Sequence, residues 1–179
     1  MKSFLELAQA RQSDRAYQTG RVIERDVLER ILEAGRLAPS ACNGQPWHFT
    51  VITEPELLIE VGKATSSLGL NRFVKDSAAL VLITLEPTNM TSRLGCGIKD
   101  KDFPIMDLGI AASYITLAAE DEGIGSCMLG WFDEKRVKEL AGIPPKKRLM
   151  LIVSLGYAMK PKRKKIRKSI DKVVSFEKY

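Results

Sequence analysis

The run Ala78–Leu85, AALVLITL, is apolar or β-branched at every position. A segment of that kind has no wet face, so it reads as a strand buried inside a sheet. The rest of the chain must be arranged around it. Ser3 to about Arg11 reads as a short helix with Phe4, Leu5, Leu7 and Ala8 apolar. Between Glu24 and Leu37, residues Val27, Leu28, Ile31, Leu32 and Gly35 share one helical face, and Pro39 stops the helix. Trp47–Thr53 reads as a strand and Pro55–Lys63 as another helix. Pro87–Asp102 is polar, glycine-bearing and without periodicity, the pattern of a loop. Ile105–Glu122 is apolar nearly all round, which predicts a buried central helix whose Gly109 and alanines permit close packing. Gly125–Trp131 fits a strand, Asp133 caps a helix running to Leu140, and Leu149–Gly156 is a last buried strand. The order of two helices followed by alternating strands and helices fits a three-layer domain, either α/β or α+β.

A chain of 179 residues is the length of one domain, and 45% hydrophobic with 28% charged residues is an ordinary globular balance. The net charge of +6 would suggest nucleic acid if it were spread over a face. It is not. Lys160 to Lys168 carries seven of the positive charges, so the remainder of the chain is close to neutral. No aromatic residue interleaves with those cations, so base stacking has no support and no nucleic-acid partner is expected. Cys42, Cys96 and Cys127 show neither disulfide nor metal spacing, and no metal is expected. Nothing resembles a signal peptide, and the apolar stretch Ile105–Ala119 is short of the roughly 20 residues a membrane span needs. A reducing cytoplasm without membrane contact is the expectation.

Two segments carry chemistry. Arg11-Gln-Ser-Asp-Arg15 offers two guanidinium forks and a hydroxyl at a spacing that suits a phosphate dianion. Alone, an Arg-x-x-x-Arg pair would be an ordinary solvated helix end. The second segment runs from Ala38 to Phe49, A-P-S-A-C-N-G-Q-P-W-H-F. It packs Ser40, Asn43 and Gln45 into a turn fixed by Pro39, Gly44 and Pro46, just before a strand. A phosphate grip beside an amide-rich turn suits a ligand with a phosphate tail and a flat head edged with hydrogen-bonding groups. Flavin mononucleotide (FMN) is such a ligand.

The pair resembles the FMN-dependent nitroreductase family, whose members open with an Arg-x-Ser-x-Arg-like element and then carry Pro-Ser-x-x-Asn-x-Gln-Pro-Trp. Gly123-Ile-Gly-Ser-Cys-Met-Leu-Gly130 falls where that family places its flavin-facing loop. Leu155-Gly-Tyr157 with the downstream Lys/Arg cluster is similar to its C-terminal strand and tail, so the resemblance spans nearly the whole chain. It implies an α+β nitroreductase-like fold over residues 1–179, with a central mixed sheet flanked by helices. It also implies an intertwined homodimer, in which a basic extension over residues 158–179 reaches the partner protomer.

By the same resemblance, Arg11, Ser13 and Arg15 grip the FMN phosphate from one protomer, while Pro39, Ser40 and Asn43, with Gln45 beside them, line the flavin from the other. Leu129 and Gly130 align with the loop whose backbone amide faces flavin N5 and O4. Asn71 and Arg72 stand where relatives place an amide and a cation near the pyrimidine, although a plain polar loop fits them equally. Lys165 and Arg167 return to the phosphate, and the other tail cations are expected to be solvated. Two departures stand out: Gln12 replaces a second arginine of the Arg-Arg-Ser form, and Leu129 stands where many relatives are polar.

The lone histidine, His48, alternates with Trp47 and Phe49, which are expected in the core of the strand, and reads as a strand residue. A triad or a histidine-rich zinc site is then hard to build. No catalytic side chain is expected, because the implied chemistry belongs to flavin N5. The activity implied is a ping-pong transfer of hydride from NADH or NADPH to an electron-poor small-molecule acceptor such as a nitroaromatic, quinone or flavin. Flavin-dependent dehalogenation and flavin fragmentation remain as alternatives within the fold. A non-catalytic flavin holder or a basic-tail nucleic-acid-binding protein remains outside it.

Overall fold

The structure, a computed structural model, describes residues 3–66, 69–87 and 101–179. Apart from its two ends, the loop expected over Pro87–Asp102 lies outside the described residues, as does Cys96. The helices are α1 (Phe4–Ala10), α2 (Arg25–Arg36), α3 (Pro55–Thr65), α4 (Phe103–Asp121) and α5 (Glu134–Leu140). The strands are β1 (Trp47–Ile52), β2 (Ala79–Leu85), β3 (Gly125–Leu129) and β4 (Arg148–Gly156). The order of helices and strands read from the sequence is the order observed, and the class is the α+β one that the resemblance implied. Local chemistry fixes several ends. Ser3 and Glu6 form a reciprocal capping box at the start of α1, and the Asp133 carboxylate accepts from the Arg136 amide at 3.0 Å at the start of α5.

The four strands form one sheet in the order β1-β2-β4-β3. Every neighbouring pair is antiparallel, which corrects the expected mixed sheet for the described residues. The apolar run of β2 reports burial on both faces, and helical layers supply that burial whatever the strand direction. Along β2 the side chains alternate between two cores. Ala79, Val81 and Ile83 join Leu28 and Ile31 of α2 and Leu108, Ala112 and Ile115 of α4. Leu80 and Leu82 join Leu58 and Val61 of α3 and Val137 of α5. The result is helix, sheet, helix, with the sheet in the middle layer.

Helix α4 departs from expectation. It buries Leu108, Ala111, Ala112, Ile115 and Ala119, yet Ile105, Met106, Ile110 and Tyr114 are exposed. An apolar helix need not be enclosed by its own chain, and this one leaves an apolar face outward. Trp47 and Phe49 are also only partly buried. Their rings stack 6.3 Å apart at the rim of the first core, because β1 is an edge strand. His48 is exposed. Among the described residues, no helix is long and apolar enough to cross a membrane.

Candidate functional site

Helix α1 stops at Ala10, and Arg11–Arg15 continues as extended chain along β3 rather than as a helical turn. Ser13 forms a parallel bridge with Ser126, and the Asp14 amide donates to Ser126 O at 2.9 Å. The sheet edge at β3 takes this segment because its backbone groups are there to pair. Successive side chains of an extended chain point to opposite sides, so Asp14 turns inward and is buried while Arg15 is exposed.

Tyr17 pins the segment from below. Its ring is 2% exposed, and its hydroxyl lies 3.0 Å from Asp14 O and 2.9 Å from Ser154 Oγ on β4. Burial, against the hydrogen bond from Ser154, holds its phenol pKa well above the ordinary tyrosine range. Cys127 lies below Ser13. Burial raises its thiol pKa, opposed by Arg15 and by a hydrogen bond to Ser13, and the side chain belongs to the second core.

The chain then returns to the same place from its other end. The Gln18 amide donates to Tyr157 O at 2.9 Å and the Met159 amide to Ala16 O at 3.0 Å, which lays the basic tail beside the N-terminal segment. Together they form a pocket of about 350 Å³ lined by Arg11, Gln12, Ser13, Arg15, Arg163, Lys164, Lys165, Ile166 and Arg167. The pocket brings together Arg11, Ser13, Arg15, Lys165 and Arg167, which the resemblance had grouped.

The tail is not simply solvated. Lys165 donates to the carbonyls of Ala8 at 2.8 Å, Gln9 at 2.9 Å and Arg11, closing the C-terminal end of α1. Burial, with Arg11 and Arg167 close by, lowers its pKa. Lys162 pairs with the buried carboxylate of Glu120, and Arg163 Nη2 donates to Ser13 O at 3.0 Å. The expectation that Lys162 and Arg163 are free in water is therefore corrected. Both find acceptors because the tail folds back along the domain.

The second segment forms a separate group. Ser40 leads into a 3₁₀ turn over Ala41–Asn43, and Cys42 and Asn43 within it and Gln45 just after it have positive φ. Such backbone is costly for residues with a Cβ and is held by specific bonds. Ser40 Oγ accepts from the Gln45 amide at 3.0 Å, and Gln45 Nε2 donates to Asn43 Oδ1 at 3.1 Å. The buried Asp107 carboxylate of α4 accepts from the Ala41 amide at 3.1 and 3.2 Å. Pro39, Asn43 and Gln45 stay exposed. Asp107 escaped the sequence reading, although a lone acid in an apolar helix was its signal.

The third group lies past the end of β3. Leu129 is 4% exposed and belongs to the second core, so only its backbone is available to a ligand. At Gly130 the space where a Cβ would sit is open. Asn71 Nδ2 donates to Thr65 O at 3.3 Å and Trp131 O at 3.0 Å, tying the turn over Arg72–Asp76 to the loop after Gly130. Arg72 is exposed. Among the described residues, neither the pocket lining nor the hydrogen bonds join the Pro39–Gln45 group to the Arg11–Arg15 group. Arg163, Lys164 and Gln12 line the pocket and Tyr17 supports it; the sequence reading gave none of them a place at the site, although Gln12 stood out as a departure. Their signal would have been the pairing of two chain ends about 150 residues apart.

Comparison with known proteins agrees with this architecture. The family model described as the nitroreductase family matches residues 8–72 and 60–157. The chain belongs to the nitroreductase family. A protein of Archaeoglobus fulgidus, under the provisional name NADH dehydrogenase/NAD(P)H nitroreductase, is 32% identical over 161 residues, covering 88% of this chain and 86% of its own. The oxygen-insensitive NADPH nitroreductase of Helicobacter pylori J99 is 27% identical, with 79% and 81% covered. Among solved structures, the FMN-dependent nitroreductase of Clostridium difficile R20291 superposes with a TM-score of 0.80 at 27% identity, covering 98% of this chain and 100% of that one. By family the chain is an oxidoreductase.

Proposed function

We propose that the chain is an FMN-dependent NAD(P)H oxidoreductase that reduces electron-poor small molecules. The observation that carries this reading is the pocket between the two chain ends. Among the described residues, six cationic side chains and no carboxylate line it, the donor set a phosphate monoester requires. Arg11 and Arg15 supply planar forks, and Lys165 holds the end of α1 so that the Arg11 backbone stays in place. Arg167 and Lys164 add charge at the rim. The open face over Gly130 suits a flat ring, and Leu129 can offer it a backbone group but no polar side chain.

Bound FMN supplies the hydride acceptor and donor, so the chain is asked only to bind, orient and exclude water. NADH or NADPH and the acceptor then use the same open slot in turn. The tail's observed partners favour this over nucleic-acid binding, because Lys162, Arg163 and Lys165 donate to groups of the domain itself.

The test is anaerobic addition of NADH and of NADPH to protein reconstituted with FMN. Bleaching of the flavin absorbance by at least one of them, and its recovery on adding a nitroaromatic, a quinone or free flavin, is the expected result. Flavin colour that survives both donors would mark a holder without turnover.

The working unit in this reading is a homodimer. The Pro39–Gln45 turn and the Arg11–Arg15 segment would then meet across two chains. Exposed Ile105, Met106, Ile110 and Tyr114 on α4, Phe4 and Leu5 on α1, and Ile170, Val173 and Phe176 in the tail supply the apolar surface such an interface buries. Light scattering of the FMN-loaded protein is expected to give twice the 19.9 kDa chain mass. A loaded species at the mass of one chain would contradict the shared site.

A further inference from the structure

We propose that Gln12 is a positioning residue that latches the basic tail across the phosphate-sized pocket, with Asp14 orienting its amide and Arg163 as the group it seats. The consequence for FMN rests on the function proposed above; the latch itself does not. Gln12 Nε2 donates to Asp14 Oδ1 at 2.7 Å. At its other end, Gln12 Oε1 accepts from the Arg163 backbone amide at 3.0 Å and from Arg163 Nε at 3.4 Å. Arg163 Nη2 completes the clasp on Ser13 O at 3.0 Å. Two segments 150 residues apart in sequence are thereby closed around one amide.

The amide orientation follows from its partners. A carboxylate only accepts, whereas a guanidinium and a backbone N–H only donate, so the NH₂ must face Asp14 and the oxygen must face Arg163. Asp14 is 4% exposed, and its Oδ2 has no hydrogen-bond partner among the described residues. A buried carboxylate with so few donors holds the one it has firmly. No charged side chain can replace the glutamine. Glutamate cannot donate to Asp14, and lysine or arginine cannot accept from Arg163.

This gives a physical reading to the Arg-Gln-Ser sequence. Position 12 brings no charge to the pocket itself, but it holds there Arg163, a cation from the far end of the chain. Gln12 touches neither a phosphate nor a reacting atom. It acts through Arg163.

Gln12→Leu and Gln12→Arg, each in the full chain, separate a latch from a simple charge effect. Backbone amide exchange over residues 160–168 is the first readout, with β3 as internal control. In both variants exchange in the tail is expected to rise roughly fivefold or more, the weight of one lost hydrogen bond, while β3 is unchanged. Tail exchange equal to the parent in both variants would overturn the latch. Affinities for FMN and riboflavin are the second readout. The latch expects both variants to weaken FMN more than riboflavin, whereas a site short of charge would bind FMN more tightly with Gln12→Arg, and that result also overturns it. Should the parent bind FMN and riboflavin equally, the phosphate reading fails, and the exchange result still decides the latch on its own.

Discussion

Replacing Arg11 and Arg15 together by Ala is expected to weaken FMN binding by roughly two orders of magnitude or more, and riboflavin binding far less. Each charge-assisted bond to a phosphate contributes about 1.5–3 kcal/mol, and two forks are removed. Riboflavin keeps the ring system and lacks the phosphate, so it isolates the contribution of the cradle. Fluorescence titration of both ligands gives the ratio directly. A double variant that binds FMN as the parent does would remove the phosphate assignment. Arg167→Ala should follow the same pattern more weakly, since Arg167 is exposed and one of its donors already serves Ile166 O. Lys165→Ala should also loosen α1, because its ammonium holds three carbonyls at the helix end. A rise in amide exchange over α1 distinguishes that second effect.

Some of this was legible in the sequence for clear reasons. The period of 3.6 placed Leu28, Ile31 and Gly35 on the buried side of α2, and the uninterrupted run of β2 announced burial on both faces. Strand direction was not legible, because a strand covered by helices on both faces has the same composition in either direction. The outward face of α4 was equally hidden: an apolar composition does not tell which side chains the chain's own core encloses.

At the site, residue types were legible and roles were not. Arg11 and Arg15 stood out only together with the Pro39–Trp47 element, because their spacing alone fits a solvated helix end. That Lys165 would bond to backbone carbonyls and Lys162 to Glu120 depends on where the tail folds back, which no local pattern encodes. Asp14, Tyr17 and Gln12 illustrate the same point. Each matters through a partner far along the chain: Gly125 beside Asp14, Ser154 beside Tyr17 and Arg163 beside Gln12.

Tyr17 is where fold and cradle are joined most tightly, and its removal should carry the largest stability effect. Its buried ring lies against Gly156 of β4, where an added Cβ would stand 2.8 Å from Tyr17 Cδ1 and 3.2 Å from its Cβ. The nearest atoms belong to the root and body of a buried ring, not to the end of a flexible chain, so the ring cannot swing aside. Tyr17→Ala is therefore expected to destabilise the fold by about 3–5 kcal/mol, as other large aromatic truncations do. Tyr17→Phe removes only the hydroxyl bonded to Asp14 O and Ser154, and should cost about 1–3 kcal/mol. Gly156→Ala in the parent should cost about 1–3 kcal/mol through overpacking. Placed together with Tyr17→Ala, the same methyl enters the space the ring has left and should cost little or stabilise. The double variant must then be more stable than the sum of the two single effects. Urea unfolding of the three proteins measures that coupling, and strict additivity would show that Gly156 does not accommodate the ring. Because Tyr17 also supports Asp14 O, Tyr17→Phe should weaken FMN binding although it touches no ligand, and its effect should vanish in a background already lacking Arg11 and Arg15.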